Sequence, residues 1–172
     1  TLFRYTSLPL PQVDKVISVR TAKEMHAAVL DNFPESTIVI KAAAVADYRP
    51  AVPAQEKIKK TDHSLSLKLE KNPDIISEIG KVKGNRILIG FAMETQNLLA
   101  NAQAKLKSKN LDLIVANNLR EKGAGFQTDT NIITIIDRMD HKDTLPIMTK
   151  NDVAMKILDR VREIVKKRGK SK

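Results

Sequence analysis

Three short runs of branched aliphatic residues constrain this chain more than any other feature: Ile38-Val39-Ile40, Ile87-Leu88-Ile89 and Leu111-Asp112-Leu113-Ile114-Val115. They do not alternate apolar with polar residues as a half-wet strand does, so each predicts a strand buried on both faces. Helix signals lie between them. Thr21-Ala22-Lys23-Glu24 is a capping box that opens a helix to about Leu30. Asn72-Pro73-Asp74 supplies an N-cap, a proline at the first helical position and an early acid, with Gly80 as the stop. Thr95 is placed to cap a longer helix whose apolar stripe is Leu98, Leu99, Ala102 and Leu106, leaving Lys105 and Lys109 one turn apart on another face. A final helix from about Asp152 carries Val153, Ile157, Val161, Ile164 and Val165 at helical spacing. Strands alternating with helices imply right-handed crossovers. The expected fold class is therefore α/β, a three-layer domain with a mostly parallel sheet covered on both faces. Shorter strand signals occur at Val13 to Val19, at the alternating Leu65, Leu67 and Leu69, and at Asn131 to Asp137, the last preceded by a polar loop from Glu121 to Thr130.

The 172 residues suit one domain with a real core, read here as 1–165, and a basic tail over 166–172 that is expected to be disordered. Aromatic residues are 3% with no tryptophan, which disfavours the stacking platforms that hold single-stranded nucleic acid. A net charge of +10 attracts anions without choosing among nucleic acid, membrane and phosphorylated metabolite. The absence of cysteine excludes disulfides, thiolate catalysis and thiolate-bound zinc. No apolar run approaches a membrane span, and Thr1-Leu2-Phe3-Arg4-Tyr5 lacks the order of a signal peptide, so a cytoplasmic protein is expected.

In open α/β sheets ligands bind beyond the carboxyl ends of the strands. Ile40 runs into Lys41-Ala42-Ala43-Ala44-Val45-Ala46-Asp47, Ile89 into Gly90-Phe91-Ala92-Met93-Glu94-Thr95, and Val115 into Ala116-Asn117-Asn118. If these strands are neighbours, the three segments converge. Small residues admit a ligand to the backbone, Asp47 suits a metal ion or polar group, and the cluster Glu56-Lys57-Ile58-Lys59-Lys60 can neutralise phosphate. Tight helix packing explains the alanines equally, Asp47 can cap a turn or pair with Arg49, and lysine runs are usually solvated faces. No phosphate-loop or dinucleotide fingerprint occurs, and His26, His63 and His141 show no ligand spacing. These residues alone lead to an anion-binding α/β domain for a nucleotide or phosphorylated metabolite.

The segments Ala42 to Arg49, Glu56 to Lys60, Lys71-Asn72-Pro73-Asp74-Ile75, Gly90 to Thr95, Lys105 to Asn110, Asp112 to Asn117, and Gly125-Phe126 with Asn131 carry a resemblance. In order and spacing they resemble the phosphopantothenoylcysteine synthetase domain of the bacterial coenzyme A biosynthesis flavoproteins, the Dfp or CoaBC family. The resemblance implies a CTP-dependent, magnesium-dependent ligase. It activates 4'-phosphopantothenate as an acyl-cytidylate and couples it to L-cysteine. It further implies that Ala42, Ala43 and Asp47 lie in the nucleotide-binding segment, with Asp47 a candidate near Mg²⁺, and that Lys57 is the catalytic lysine of a mobile flap. Pro73, Asp74, Ile75 and Ile76 match the segment around cytosine and ribose, Phe91 another nucleotide contact, and Lys105 and Lys109 the helix lysines that contact CTP. Asn117 matches a recurrent strand-end asparagine to which no role is assigned. A homodimer and a fused decarboxylase domain carrying FMN are expected from the family, with neither nucleic acid nor membrane as partner.

The family's Gly-rich strand-to-helix turn and its Arg-Tyr-Ile-Ser-Asn segment have no match here. The expectation is a C-terminal portion of a longer protein, lacking the N-terminal Gly-rich β-α unit and impaired in the full reaction. Two other classes make distinct predictions. A basic nucleic-acid module would bind with steep salt dependence, and a Rossmann oxidoreductase would bind NAD(P).

Overall fold

The computed structural model describes residues 1–4, 9, 11–60, 64–94, 97–118 and 129–169. In chain order the elements are β1 (Leu2–Arg4), β2 (Val16–Ser18), α1 (Ala22–Asn32), β3 (Ile38–Lys41), β4 (Tyr48–Pro50), β5 (Leu69–Lys71), α2 (Ile75–Lys81) and β6 (Ile87–Glu94). They continue with α3 (Leu98–Ser108), β7 (Leu113–Asn118), β8 (Thr130–Asn131), β9 (Ile133–Asp137), β10 (Lys142–Thr144), β11 (Met148–Thr149) and α4 (Lys150–Gly169). The chain divides into two compact units, one from Thr1–Glu35 with Ala44–Ile75, the other from Ser36–Ala43 with Ile76–Lys172. Each unit is assembled from two separate stretches. No linker or shift of composition marks the division, which is why the sequence reads as one domain.

In the first unit β1 and β2 pair in parallel. Only Val16–Ser18 of the expected Val13 to Val19 strand forms, and Val13 is exposed. The capping box at α1 is realised: Glu24 N–H donates to Thr21 Oγ1 at 3.1 Å, and the Glu24 carboxylate accepts from the Arg20 amide at 2.7 Å. β4 and β5 form an antiparallel ribbon. The half-exposed strand expected around Leu65, Leu67 and Leu69 is reduced to Leu69–Lys71, and all three leucines are exposed. A two-stranded ribbon has no second layer of its own against which to bury a face.

The second unit holds a five-stranded sheet in the order β10-β9-β7-β6-β3. Strands β3, β6 and β7 are parallel, and β9 and β10 add antiparallel pairings. Ile87 and Ile89 of β6, Leu113 and Val115 of β7, and Ile133 and Ile135 of β9 pack with Val153, Ile157 and Val161 of α4. The two-residue period of a strand turns Leu88, Ile114 and Ile136 to the opposite face, where α3 packs on β6 and β7 through Ala102 and Leu106. Three layers result, as the strand-helix alternation predicts.

Several sequence expectations change in detail. Ile38 and Ile40 are 40% and 41% exposed, so β3, the edge strand of its sheet, is not buried on both faces. Thr95 lies outside the described residues, and α3 is capped by Asn97, a left-handed residue at φ 50° whose side chain makes no capping bond. Leu99 is exposed rather than part of the stripe. Gly80 lies inside α2 instead of ending it. A Cβ there would stand 2.2 Å from the Lys109 carbonyl oxygen, so its role is close approach between chain segments. The Glu121 to Thr130 loop falls outside the described residues up to position 128. α4 starts earlier than expected, with Thr149 Oγ1 accepting from the Asp152 amide at 3.1 Å. It also runs through Lys166, Lys167 and Arg168 to Gly169, so the part of the basic tail described here is helical. Arg168 is anchored by Asp112, which a solvated tail would not be.

Candidate functional site

Strands β3, β6 and β7 are consecutive neighbours, so their carboxyl ends meet at one edge of the sheet. Lys41 ends β3 opposite Gly90, and further along the edge Met93 of β6 faces Asn117 of β7. The condition on which the sequence reading rested is therefore met. Ala42 and Ala43 leave this edge directly after β3 and are exposed, and Lys41 Nζ donates to the Ala43 carbonyl at 2.9 Å. With no side chain beyond Cβ, they leave the backbone open to a ligand. Phe91 sits beside Gly90, half-buried against the α4-side core. Ile76 is buried, so the chain there offers a ligand backbone rather than side chain.

In the first unit the ribbon β4–β5 brings another group of expected residues together. The Asn72 amide donates to the Asp47 carbonyl at 2.8 Å, and Asn72 Nδ2 donates to the Ala46 carbonyl at 2.8 Å. Arg49 donates to the Lys71 carbonyl at 2.7 Å and to Asn72 Oδ1 at 2.9 Å, and it also pairs with Glu70. Arg49 is thus committed to the ribbon. Asn72 is a brace that holds Asp47 beside Pro73 and Asp74 instead of the N-cap its position suggested. Ile75 is buried at 2% exposure, while Asp47 is exposed. Lys57 is exposed on the connection between β4 and β5.

Lys105 and Lys109 are not carried to the strand-end edge by topology. Helix α3 leaves β6 at its carboxyl end and must run back to start β7, so Lys105 lies in its last turn and Lys109 at its C-cap. At about 1.5 Å per residue, Lys109 is some 16 Å along the axis from the beginning of α3. Its carbonyl lies against Gly80, and Asn110 Nδ2 donates to the Gly80 carbonyl at 2.8 Å.

The same amino end of the sheet contains a charged cluster that the sequence reading did not single out. Asp112 is 3% exposed and accepts from Lys83 Nζ at 2.7 Å, the Leu88 amide at 2.8 Å and Arg168 at 2.7 Å, with Arg138 Nε at 3.3 Å. Burial lowers the pKa of Lys83; the hydrogen bond and charge of Asp112 oppose that, while Arg138 and Arg168 add to it. The available signal was a lone carboxylate in an otherwise aliphatic run. Asp112 accepts three hydrogen bonds and pairs with Arg138, whose Nε donates to the Leu111 carbonyl at 2.8 Å, so this cluster is structural. At the other end of β7, Asn117 is 6% exposed and its Oδ1 has no hydrogen-bond partner among the described residues.

No group of three or more acidic or histidine side chains that could hold a metal ion occurs among the described residues. An ion carried by a triphosphate needs only one or two protein carboxylates, so the exposed Asp47 fits that demand. No helix among the described residues is long and apolar enough to cross a membrane.

Residues 4–165 match the family model described as the DNA/pantothenate metabolism flavoprotein C-terminal domain. The chain is 47% identical over 153 residues to a coenzyme A biosynthesis bifunctional protein CoaBC of Bacillus subtilis (strain 168), covering 89% of this chain and 38% of that protein. It is 44% identical over 161 residues to a cysteine/cysteine sulfinic acid decarboxylase of an unknown prokaryotic organism, covering 93% of this chain and 45% of that protein. Among solved structures, the C-terminal domain of a coenzyme A biosynthesis bifunctional protein CoaBC is similar with a TM-score of 0.77 at 36% identity, covering 95% of this chain and 74% of that one. The chain thus spans less than half the length of these curated relatives.

Proposed function

The chain belongs to the DNA/pantothenate metabolism flavoprotein C-terminal domain family, and on that premise we propose that it forms the phosphopantothenate–cysteine ligase part of a coenzyme A biosynthesis protein. The observation that carries the reading is the edge where β3, β6 and β7 end side by side, with the small, open Ala42-Ala43 segment leaving it. Asp47 held beside Pro73-Asp74 and the exposed Lys57 supply the polar and cationic groups the reaction needs.

In this reaction a carboxylate oxygen of 4'-phosphopantothenate attacks the α-phosphorus of CTP, and the bond to pyrophosphate breaks. The amine of L-cysteine then attacks the acyl carbon, CMP departs, and the amine gives up a proton. The first transition state spreads negative charge over carboxylate and phosphates. Lys57 stabilises that charge, and a closed flap shields the acyl-cytidylate from water. Magnesium bound with the triphosphate would neutralise part of it, with Asp47 as the protein group that holds the ion. Ala42, Ala43, Pro73, Asp74, Ile75, Ile76 and Phe91 bind the nucleotide, the buried Ile75 and Ile76 through their backbone. Lys105 and Lys109 contribute long-range positive charge. A homodimer and a fused decarboxylase domain belong to the same reading. Support for the dimer comes from the exposed apolar side chains of Ile58, Leu65, Leu67 and Leu69, which a second copy would cover.

The test is incubation of the full-length protein with CTP, 4'-phosphopantothenate and L-cysteine, following pyrophosphate and CMP. Release of both, dependent on all three substrates, is expected. Calorimetric binding of NADP or an oligonucleotide in place of CTP would overturn the reading in favour of an oxidoreductase or a nucleic-acid module.

A further inference from the structure

We propose that the side-chain amide of Asn117 reads the amino-substituted edge of the nucleotide base, which makes it a specificity-determining residue. This rests on the ligase reading and deepens it. Among the described residues Asn117 is one of four buried polar or charged residues, and its Oδ1 has no partner there. The other buried charges, Lys83 and Asp112, bond each other, and Thr134 Oγ1 lies 3.0 Å from Thr144 Oγ1. A buried carbonyl oxygen without a donor is costly, and proteins retain one where a ligand or water supplies the missing bond.

The place identifies the class of ligand. Leu113 and Val115 pack beneath α4, so the period of the strand puts Asn117 on that same face, at the carboxyl edge. Its register partners are Met93 on β6 and Ile133 on β9, and Phe91, paired with Val115, packs against the same core. An uncharged amide in an apolar, partly aromatic setting suits a flat heterocycle rather than a phosphate. Because the orphaned atom is an acceptor, its partner must donate. The exocyclic amine of cytosine or adenine donates at the position where uracil and guanine present a carbonyl oxygen.

CTP and UTP differ only along that edge of the ring, in the 4-amino group against a carbonyl and in N3 as an acceptor against an N–H, so calorimetric titration of the full-length wild type and variants with each tests the contact. Wild type is expected to bind CTP roughly 10- to 100-fold more tightly than UTP. Asn117→Leu keeps the approximate volume and removes the acceptor; it is expected to weaken CTP to the level of UTP while leaving UTP unchanged. Asn117→Gln keeps an uncharged amide acceptor and is expected to retain part of the preference, which guards against a Leu variant that misfolds. An unchanged CTP-to-UTP ratio in folded Asn117→Leu overturns the assignment and leaves the ligase reading intact. Equal binding of CTP and UTP by wild type does the same. No nucleotide binding by wild type overturns both.

Discussion

Asp112 and Asn117 stand five positions apart in the same buried stretch of chain, yet their polar atoms meet opposite circumstances. At the amino end of the sheet, Asp112 accepts from a lysine, an arginine and a backbone amide and pairs with a second arginine. At the carboxyl end, the Asn117 oxygen has no donor among the described residues, and its register partners are the apolar Met93 and Ile133. Burial alone therefore does not distinguish structure from function in this protein. Saturation does: the polar groups at the amino end satisfy each other and hold the fold, whereas the Asn117 oxygen is left for the ligand contact proposed above.

The sharpest way to break the comparison is to neutralise Asp112. Asp112→Asn leaves Lys83 buried without its counter-charge, next to two arginines, and is expected to cost about 3–5 kcal/mol in urea unfolding. Asn117→Leu should change stability by less than about 1 kcal/mol, since the Oδ1 it removes has no partner among the described residues. Comparable losses for the two variants would end the distinction. On the ligand side, Lys57→Gln is expected to slow pyrophosphate release about 100-fold while the unfolding midpoint stays put, as befits an exposed residue. Unchanged release would remove Lys57 from the chemistry.

A smaller effect concerns pH. Lys83 has a lowered pKa, so between its folded value and the ordinary 10.5 the unfolded chain binds more protons than the native one. Stability contributed at this site thus rises as pH climbs through that window and is constant below it. Relative to wild type, Lys83→Met should lack this alkaline rise. Unfolding curves at a series of alkaline pH values check the sign, and a parallel pH dependence for the two proteins would show that burial does not penalise the Lys83 charge.

Periodicity and capping chemistry made the α/β class and most of the second unit legible. The runs around Leu88 and Ile114 are buried strands, and the spacing of Val153, Ile157 and Val161 is the face of α4 that covers them. These are local signals, because a strand or helix that must bury a face writes its period into consecutive residues. The candidate site was legible as three strand ends, and parallel neighbours in the sheet are what joined them. Less could be read where a residue's partner is distant in the chain. Asn72 looks like a helix cap but braces Ala46, Asp47 and Arg49. Gly80 looks like a helix stop but makes room for Lys109. Ile38 and Ile40 look doubly buried, yet their strand is an edge.

Sequence by itself determined the class of fold, the strand-end segments and the family, since these depend on residue type and spacing along one chain. Only tertiary structure decided that Arg168 of an apparent tail anchors a buried carboxylate, that Lys109 sits at the C-cap of α3, and that Asn117 is buried with an oxygen unpartnered among the described residues. Whether a polar group is satisfied depends on atoms brought from elsewhere in the chain, and no local pattern records them.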